Sequence, residues 1–128
     1  MNASTCTVIE HAKMPSAELP GLQHRTLAGH EHGLDQLSVW RQTLAPGAAT
    51  PPHRHDTEEV VLCHAGRGEV HMNGKVHRFG PHSSVLLPRN VPHQIFNVGS
   101  EPMEITGVFA AAPVVVFDAN DRVMPLPW

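Results

Sequence analysis

The sequence predicts an all-β protein, a sandwich or barrel of short strands. Strand-forming runs recur about every 8 to 12 residues from Leu37 onward, a spacing typical of these folds. Twelve prolines and ten glycines separate the runs, and no window shows the roughly 3.6-residue periodicity of an amphipathic helix. Asn73-Gly74 is the strongest hairpin signal, because a type I′ turn needs positive φ at both central residues.

The 128 residues fit one domain with three parts. Residues 1–36 are punctuated by proline and glycine and predict an irregular N-terminal arm with room for one or two edge strands. Residues 37–118 are predicted to form the barrel. Residues 119–128 form a C-terminal tail that either folds back onto the barrel or a partner, or frays.

The predicted barrel strands are, in chain order, 37–44, 58–64, 69–72, 75–79, 83–88, 93–98, 103–110 and 114–117. Side chains alternate between the two faces of a strand. The first strand therefore carries one set on each face, with Trp40, Gln42 and Leu44 on one and Leu37, Val39 and Thr43 on the other. The sequence leaves open which set lines the interior. Cys63 shares its face with Glu59 and is expected inside.

Composition argues against several classes of protein. The net charge is −3 and no basic stripe exists, so nucleic-acid binding is not expected. No stretch approaches the ~20 apolar residues of a membrane span, so a membrane partner is not expected. Two cysteines make no disulfide framework, and the first residues lack a basic start with an apolar run. These features predict free thiols and a cytoplasmic location.

Histidine is the informative residue, with 11 in the chain. His53 and His55 are two apart, so a strand would place both imidazoles on one face. Glu59 follows after a short bend, and His93 opens a strand directly after a proline turn. Three neutral nitrogens and one anionic oxygen suit one divalent transition metal, namely iron, manganese, nickel or zinc, with copper less favoured. The other close pair, His30 and His32, is predicted to be a solvated pair.

Two segments resemble the two sequence motifs of the cupin superfamily. The first motif, G-x5-H-x-H-x3-E-x6-G, is matched at every fixed position, by Gly47, His53, His55, Glu59 and Gly66. The second, G-x5-P-x-G-x2-H-x3-N, is matched by Pro88, His93 and Asn97. Gly80 stands two residues further from the proline than this motif asks. Asn90 replaces a glycine, and asparagine is a good substitute where φ is positive.

The resemblance is to a small single-domain cupin, and it implies a double-stranded β-helix, the jelly-roll barrel. It also implies that His53, His55, Glu59 and His93 hold the metal beside a pocket at the barrel mouth. A small-molecule substrate or ligand would bind there, and a homodimer would form through sheet edges. Arg54 and Arg89 have the opposite strand parity to the neighbouring ligands, so we expect them to point away.

The function expected is that of a metal-dependent protein acting on a small organic molecule. A dioxygenase-type oxidoreductase is the leading hypothesis, with Glu59 both a metal ligand and a catalytic base. The alternatives are a metal-assisted isomerase, lyase or decarboxylase, and a non-catalytic sensor that binds a small molecule or a metal. The sequence does not fix the metal or the substrate, because this barrel supports many activities.

Overall fold

A computed structural model describes residues 5–128 as a barrel of antiparallel strands. The described strands are β1 (Ala17–Leu19), β2 (Leu22–Ala28), β3 (Ser38–Leu44), β4 (Arg54–His55), β5 (Glu59–Ala65), β6 (Gly68–Met72), β7 (Lys75–Phe79), β8 (Ser83–Leu87), β9 (His93–Asn97), β10 (Met103–Phe109) and β11 (Val116–Phe117). Two single 3-10 turns, His11–Lys13 and His30–His32, complete the elements. Within this range no helix has the length and apolarity to cross a bilayer.

Three sheets form the barrel wall. One has six strands in the order β1-β2-β3-β10-β5-β8, one has three in the order β7-β6-β9, and β11 pairs with β4. Every described pairing is antiparallel, as in a jelly roll. The predicted all-β jelly-roll fold is confirmed.

Local sequence signals placed the strands well. Each of the eight predicted barrel strands begins and ends within two residues of an observed strand. The hairpin turn has φ of 54° at Asn73 and 71° at Gly74, as a type I′ turn requires. Met72 pairs with Lys75 and Val70 with His77, the register that a two-residue turn dictates.

Parts of the predicted arm and the predicted tail both pack on the barrel. β1 and β2 lie in the segment predicted as an arm. β1 is an edge strand of the six-stranded sheet, and β2 pairs with both β1 and β3. The C-terminal tail folds back onto the barrel, which is one of the alternatives that the sequence left open. Met124, Leu126 and Trp128 pack against a small cluster of Trp40, Phe109 and Val116.

The main core lies between the sheets and is built by strand alternation. It contains Leu22, Leu44, Val61, Cys63, Val70, Leu87, Ile95, Met103 and Ile105. Cys63 is 2 % exposed, so its predicted inward direction is confirmed. Leu44 and Trp40 are buried, whereas Thr43 donates to Glu104 on the other side of β3. The face with Trp40, Gln42 and Leu44 is therefore the inner one.

Two corners use the left-handed backbone conformation without glycine. Asn90 has φ of 64°, as expected for the residue that replaces a motif glycine. His82 has φ of 66° and stands six residues before Pro88, with five residues between them, which is the spacing of the first glycine in the second motif. The structure thus assigns that corner to His82. This explains why Gly80 stands outside the motif spacing, since the positive φ at that spacing belongs to a histidine.

The Asn97 side chain links the end of β3 to the loop between β9 and β10. Its Nδ2 donates to Leu44 O at 2.9 Å and to Glu101 O at 2.8 Å, and its Oδ1 accepts from Gly99 N at 3.0 Å. The side chain is 1 % exposed, so water cannot replace these partners. Asn97 is therefore a structural residue of the second motif.

We expect Asn97→Ala to lower the free energy of unfolding by about 2–4 kcal/mol, because two backbone carbonyls lose buried donors. Urea unfolding followed by circular dichroism measures this loss. The exposed Gln23→Ala on β2 is the control and should change stability by less than about 0.5 kcal/mol. Equal, small effects of the two substitutions would contradict the assigned role.

Candidate metal centre

Backbone pairing brings the two predicted ligand segments together. His53 N donates to His93 O at 3.0 Å and His93 N donates to His53 O at 2.8 Å, so the two residues form an antiparallel bridge. His55 lies next to this bridge on β4, and Glu59 begins β5. The bridge therefore holds the two ligand segments side by side.

The structure brings all four predicted ligands into one cluster. Nitrogen atoms of His53, His55 and His93 lie within 4.8 Å of one another. Glu59 Oε1 lies 3.5 Å from His55 Nε2 and 3.6 Å from His93 Nε2. His55, Glu59 and His93 are buried and His53 is half-buried, so the cluster opens to one side at His53.

Each imidazole is oriented by a backbone carbonyl. The Nδ1 of His53 donates to Pro51 O at 2.6 Å, that of His55 to Val115 O at 3.2 Å, and that of His93 to Val91 O at 3.1 Å. A proton on Nδ1 leaves Nε2 of the neutral ring unprotonated. Metal-binding histidines characteristically use their second nitrogen in this way, because it fixes the tautomer and the ring plane.

The donor set fits a metal ion. Glu59 Oε1 and His93 Nε2 are fully buried and have no hydrogen-bond partner among the described residues. Buried polar atoms rarely lack a hydrogen-bond partner, because each unpaired atom destabilises the folded state by about 1–3 kcal/mol. Ligand atoms at about 2.0–2.2 Å from a common ion lie about 3–4.4 Å from one another, and the observed separations of 3.5 and 3.6 Å agree with this.

Burial makes the cluster electrically neutral when no cation is bound. Desolvation raises the pKa of Glu59 to about 8. Desolvation also lowers the pKa of His55 to about 3 and that of His93 to about 4, with His53 nearby as a lesser cause for both. The pKa of His53 is lowered by its burial as well. At neutral pH a cation would therefore displace one proton, from Glu59.

Gly107 on β10 is a site residue that the sequence reasoning missed. A Cβ added there would lie 2.9 Å from Glu59 Oε2, closer than side chains tolerate. Gly107 therefore leaves the space that the Glu59 carboxylate occupies. Its neighbours in the strand alternation signalled an inward position, but only the pairing of β10 with β5 shows which side chain it faces.

A cavity of about 40 Å³ adjoins the cluster. His53, His55 and Glu59 line one side. The rest is mostly apolar, with Leu22, Trp40, Ile105, Phe109, Leu126 and Trp128 among its walls. Gln42 and Thr50 are the uncharged polar side chains that reach it. One water needs at least about 10–15 Å³, so the space holds only a few small groups as it stands.

The remaining singled-out residues lie elsewhere. The group of potential metal ligands found among residues 5–128 does not include His30 or His32, which form a 3-10 turn. Arg54 points away from the cluster as predicted, with its Nε 3.2 Å from Asp121 Oδ1. Arg89 is exposed.

These observations define the class: a small jelly-roll barrel with a histidine triad able to bind a metal ion. A family model described as the cupin domain matches residues 40–109, and the chain belongs to the cupin family. The predicted resemblance to a small single-domain cupin is confirmed.

Named plant proteins are similar in sequence. The chain is 38 % identical over 116 residues to auxin-binding protein 1 of Arabidopsis thaliana, covering 83 % of this chain and 59 % of that protein. It is 36 % identical over 117 residues to auxin-binding protein T92 of Nicotiana tabacum, covering 82 % of this chain and 63 % of that protein. The chain thus spans about three fifths of the length of these relatives.

Solved structures support the fold alone. The polyketide cyclase RemF of Streptomyces resistomycificus has a TM-score of 0.74 at 19 % identity, covering 86 % of this chain and 84 % of that one. An RmlC-like cupin from Shewanella frigidimarina has a TM-score of 0.72 at 16 % identity, covering 85 % and 94 %. An oxalate decarboxylase of Lactobacillus farciminis has a TM-score of 0.77 at 19 % identity, covering 85 % of this chain and 34 % of that one.

We expect His55→Ala to remove most of the affinity for divalent metal, because it deletes one of three imidazoles and leaves a buried carboxylate less compensated. Elemental analysis after dialysis against manganese, nickel or zinc measures the bound metal. His30→Ala is the matched control and should retain about one equivalent. Equal losses in the two variants would contradict the ligand assignment.

Metal affinity should rise with pH. Burial raises the pKa of Glu59 to about 8, lowers those of His55 and His93 to about 3 and 4, and lowers that of His53 from its usual 6.5, so only the carboxyl group releases a proton on binding between about pH 6.5 and 8. The apparent association constant should then increase about tenfold per pH unit and level off above pH 8. Chelator competition measures it, and an affinity that is constant from pH 5 to 7 would refute the buried, protonated Glu59.

Gly107→Ala should weaken metal binding by roughly tenfold or more, because the new methyl group displaces the Glu59 carboxylate. Gly80→Ala is the control, since a Cβ there meets nothing within 4 Å. Isothermal titration with manganese compares the two variants, alongside thermal unfolding to confirm that both fold. Unchanged manganese affinity in folded Gly107→Ala protein would show that the Glu59 carboxylate does not need the space beside Gly107.

Proposed function

We propose that the protein binds a small organic acid beside a divalent metal held by His53, His55, Glu59 and His93. The observation that carries this proposal is the shared cavity: the ligand cluster forms one wall and apolar side chains form the others. Such a pocket, apolar with a few convergent polar groups, is the usual form of a small-molecule site.

Charge supports an anionic ligand. A bound divalent ion supplies a positively charged centre that polarises and attracts an anionic oxygen, and Glu59 offsets only one of its two charges. The three imidazoles are neutral because burial lowers their pKa values. An apolar cavity strengthens attraction to a carboxylate, since little water screens it.

The cavity walls determine which non-carboxylate part of the ligand fits. Trp40, Phe109 and Trp128 supply aromatic surface, and Gln42 supplies an amide that can orient a polar group. A cavity of about 40 Å³ suits small acids, whereas a larger acid requires lining side chains to move. The plant relatives are named for binding auxin, which supports a role in small-molecule binding for this chain.

A dioxygenase-type oxidoreductase is the second candidate, and one observation favours it among enzymes. The titratable side chains that line the described cavity are His53, His55 and Glu59, which are the proposed metal ligands themselves. Isomerases and decarboxylases commonly use a separate positioned acid or base. A reaction at this site would therefore rely on the metal and on Glu59, the proposed catalytic base, rather than on an independent acid–base pair.

A homodimer is part of the proposal. β1 and β8 end the six-stranded sheet, and Leu86 on β8 is 72 % exposed. Unpaired edge strands of this kind can pair with a second copy. Light scattering measures the molar mass of the wild type and of Leu86→Lys in solution. A dimeric mass for the wild type that falls in the variant is expected, and a monomeric mass for both proteins would contradict the dimer.

Calorimetry distinguishes the functions. Protein loaded with manganese, nickel or zinc is titrated with propionate, lactate and indole-3-acetate, and oxygen uptake is followed in parallel with an iron(II)-loaded sample. Binding that disappears in His55→Ala protein supports the proposal, and oxygen consumption with ligand oxidation supports the dioxygenase. If no acid binds to any metal-loaded form, or if binding persists in His55→Ala, the proposed function is wrong.

A further inference from the structure

His24 is a buried residue that neither the metal cluster nor the cavity lining includes. It lies on β2, is 1 % exposed, and pairs in register with Gln42 on β3. It contacts three residues that do line the cavity, namely Gln42, Trp40 and Trp128. From this position His24 can orient side chains that line the cavity without touching a ligand itself.

Both ring nitrogens of His24 are engaged. The Nδ1 lies 3.1 Å from Gln42 Nε2, and the Nε2 lies 2.7 Å from Thr26 Oγ1. An amide nitrogen is only a donor, so the Gln42 N–H donates and Nδ1 must be unprotonated to accept it. The ring proton is then on Nε2 and is donated to the Thr26 hydroxyl. These two bonds define one tautomer of a neutral imidazole.

Aromatic packing holds the imidazole in this position. The Trp128 indole stacks on His24 with ring centroids 3.7 Å apart and planes 10° apart. Trp40 meets the same ring edge-on at 5.0 Å. Burial lowers the pKa of His24 to about 3, so the ring stays neutral at neutral pH and one of its nitrogens remains an acceptor. The ring therefore has little freedom to rotate.

The amide of Gln42 is oriented by this contact. Gln42 lines the cavity, while His24 lies behind it and takes up the nitrogen end. Among the described hydrogen bonds, none engages Gln42 Oε1. With the ring proton on Nε2, an amide turned the other way would place Oε1 against an acceptor nitrogen, and the contact would become repulsive. The carbonyl end of the amide is thus left for the cavity.

We propose that His24 is a positioning residue that holds the Gln42 amide with Oε1 towards the cavity, and so makes the site prefer an organic acid with a hydrogen-bond donor near its carboxylate, such as a 2-hydroxy acid. The preference rests on the proposed binding of organic acids. The orientation of Gln42 does not, and it has its own test.

Paired ligands test the preference. Lactate and propionate differ in one hydroxyl group, and both are small enough for the cavity. In zinc-loaded protein we expect lactate to bind more tightly, and His24→Phe to reduce the lactate-to-propionate affinity ratio by roughly three- to tenfold, the range of one hydrogen bond. Phenylalanine retains the stacking with Trp128, and metal content should be unchanged. Gln42→Leu should reduce the ratio equally, and the double variant no further.

Thr26→Val supplies a second route, because it removes the acceptor of the His24 ring proton and leaves the imidazole in place. An intermediate loss of the lactate preference is expected. An unchanged ratio in both His24→Phe and Thr26→Val, or additive effects of His24→Phe and Gln42→Leu, would overturn the positioning role.

Nitrogen-15 spectra of the histidine rings test the orientation without any ligand. Wild type should show His24 as the Nε2–H tautomer, with Nδ1 unprotonated, and Gln42→Leu should shift the Nδ1 resonance. A proton on Nδ1 in the wild type would overturn the proposal even if acids bind. The expected tautomer together with no binding of either acid would instead locate the failure in the proposed function.

Discussion

The site depends on one backbone feature, the antiparallel bridge between His53 and His93. The two residues are forty positions apart, and their mutual N–H···O bonds of 2.8 and 3.0 Å place both imidazoles at the same barrel mouth. His55 and Glu59 are then near by chain connectivity. Without this bridge the chain would carry two separate sets of polar residues, and His93 would not lie beside His53, His55 and Glu59.

The second constraint is electrostatic. The barrel buries a carboxyl group among three imidazoles and apolar walls, and burial keeps all four groups uncharged when no cation is present. This explains how a small core tolerates them. A divalent ion changes the balance, since it ionises Glu59 and satisfies the unpartnered Glu59 Oε1 and His93 Nε2. The same apolar walls then form the place where an organic molecule can lie.

Features that depend on short-range chemistry were predictable from the sequence. The Asn73-Gly74 turn fixed a register, and strand parity placed His53 and His55 on one side. The sequence did not reveal the roles of three residues, His24, Gly107 and His82. His24 matters because β2 pairs with β3, Gly107 because β10 pairs with β5, and His82 because its φ is positive. Each of these depends on long-range pairing or backbone conformation, which residue type does not encode.

The central claim is that three imidazoles and one carboxylate share a single ion, and X-ray absorption spectroscopy of the metal-loaded protein tests it most directly. With zinc or nickel bound, the spectrum should fit a first shell of nitrogen and oxygen only, with multiple-scattering features of three imidazoles at about 2.0–2.2 Å. One imidazole or none in the first shell, or a sulfur ligand from Cys63 or Cys6, would contradict the account.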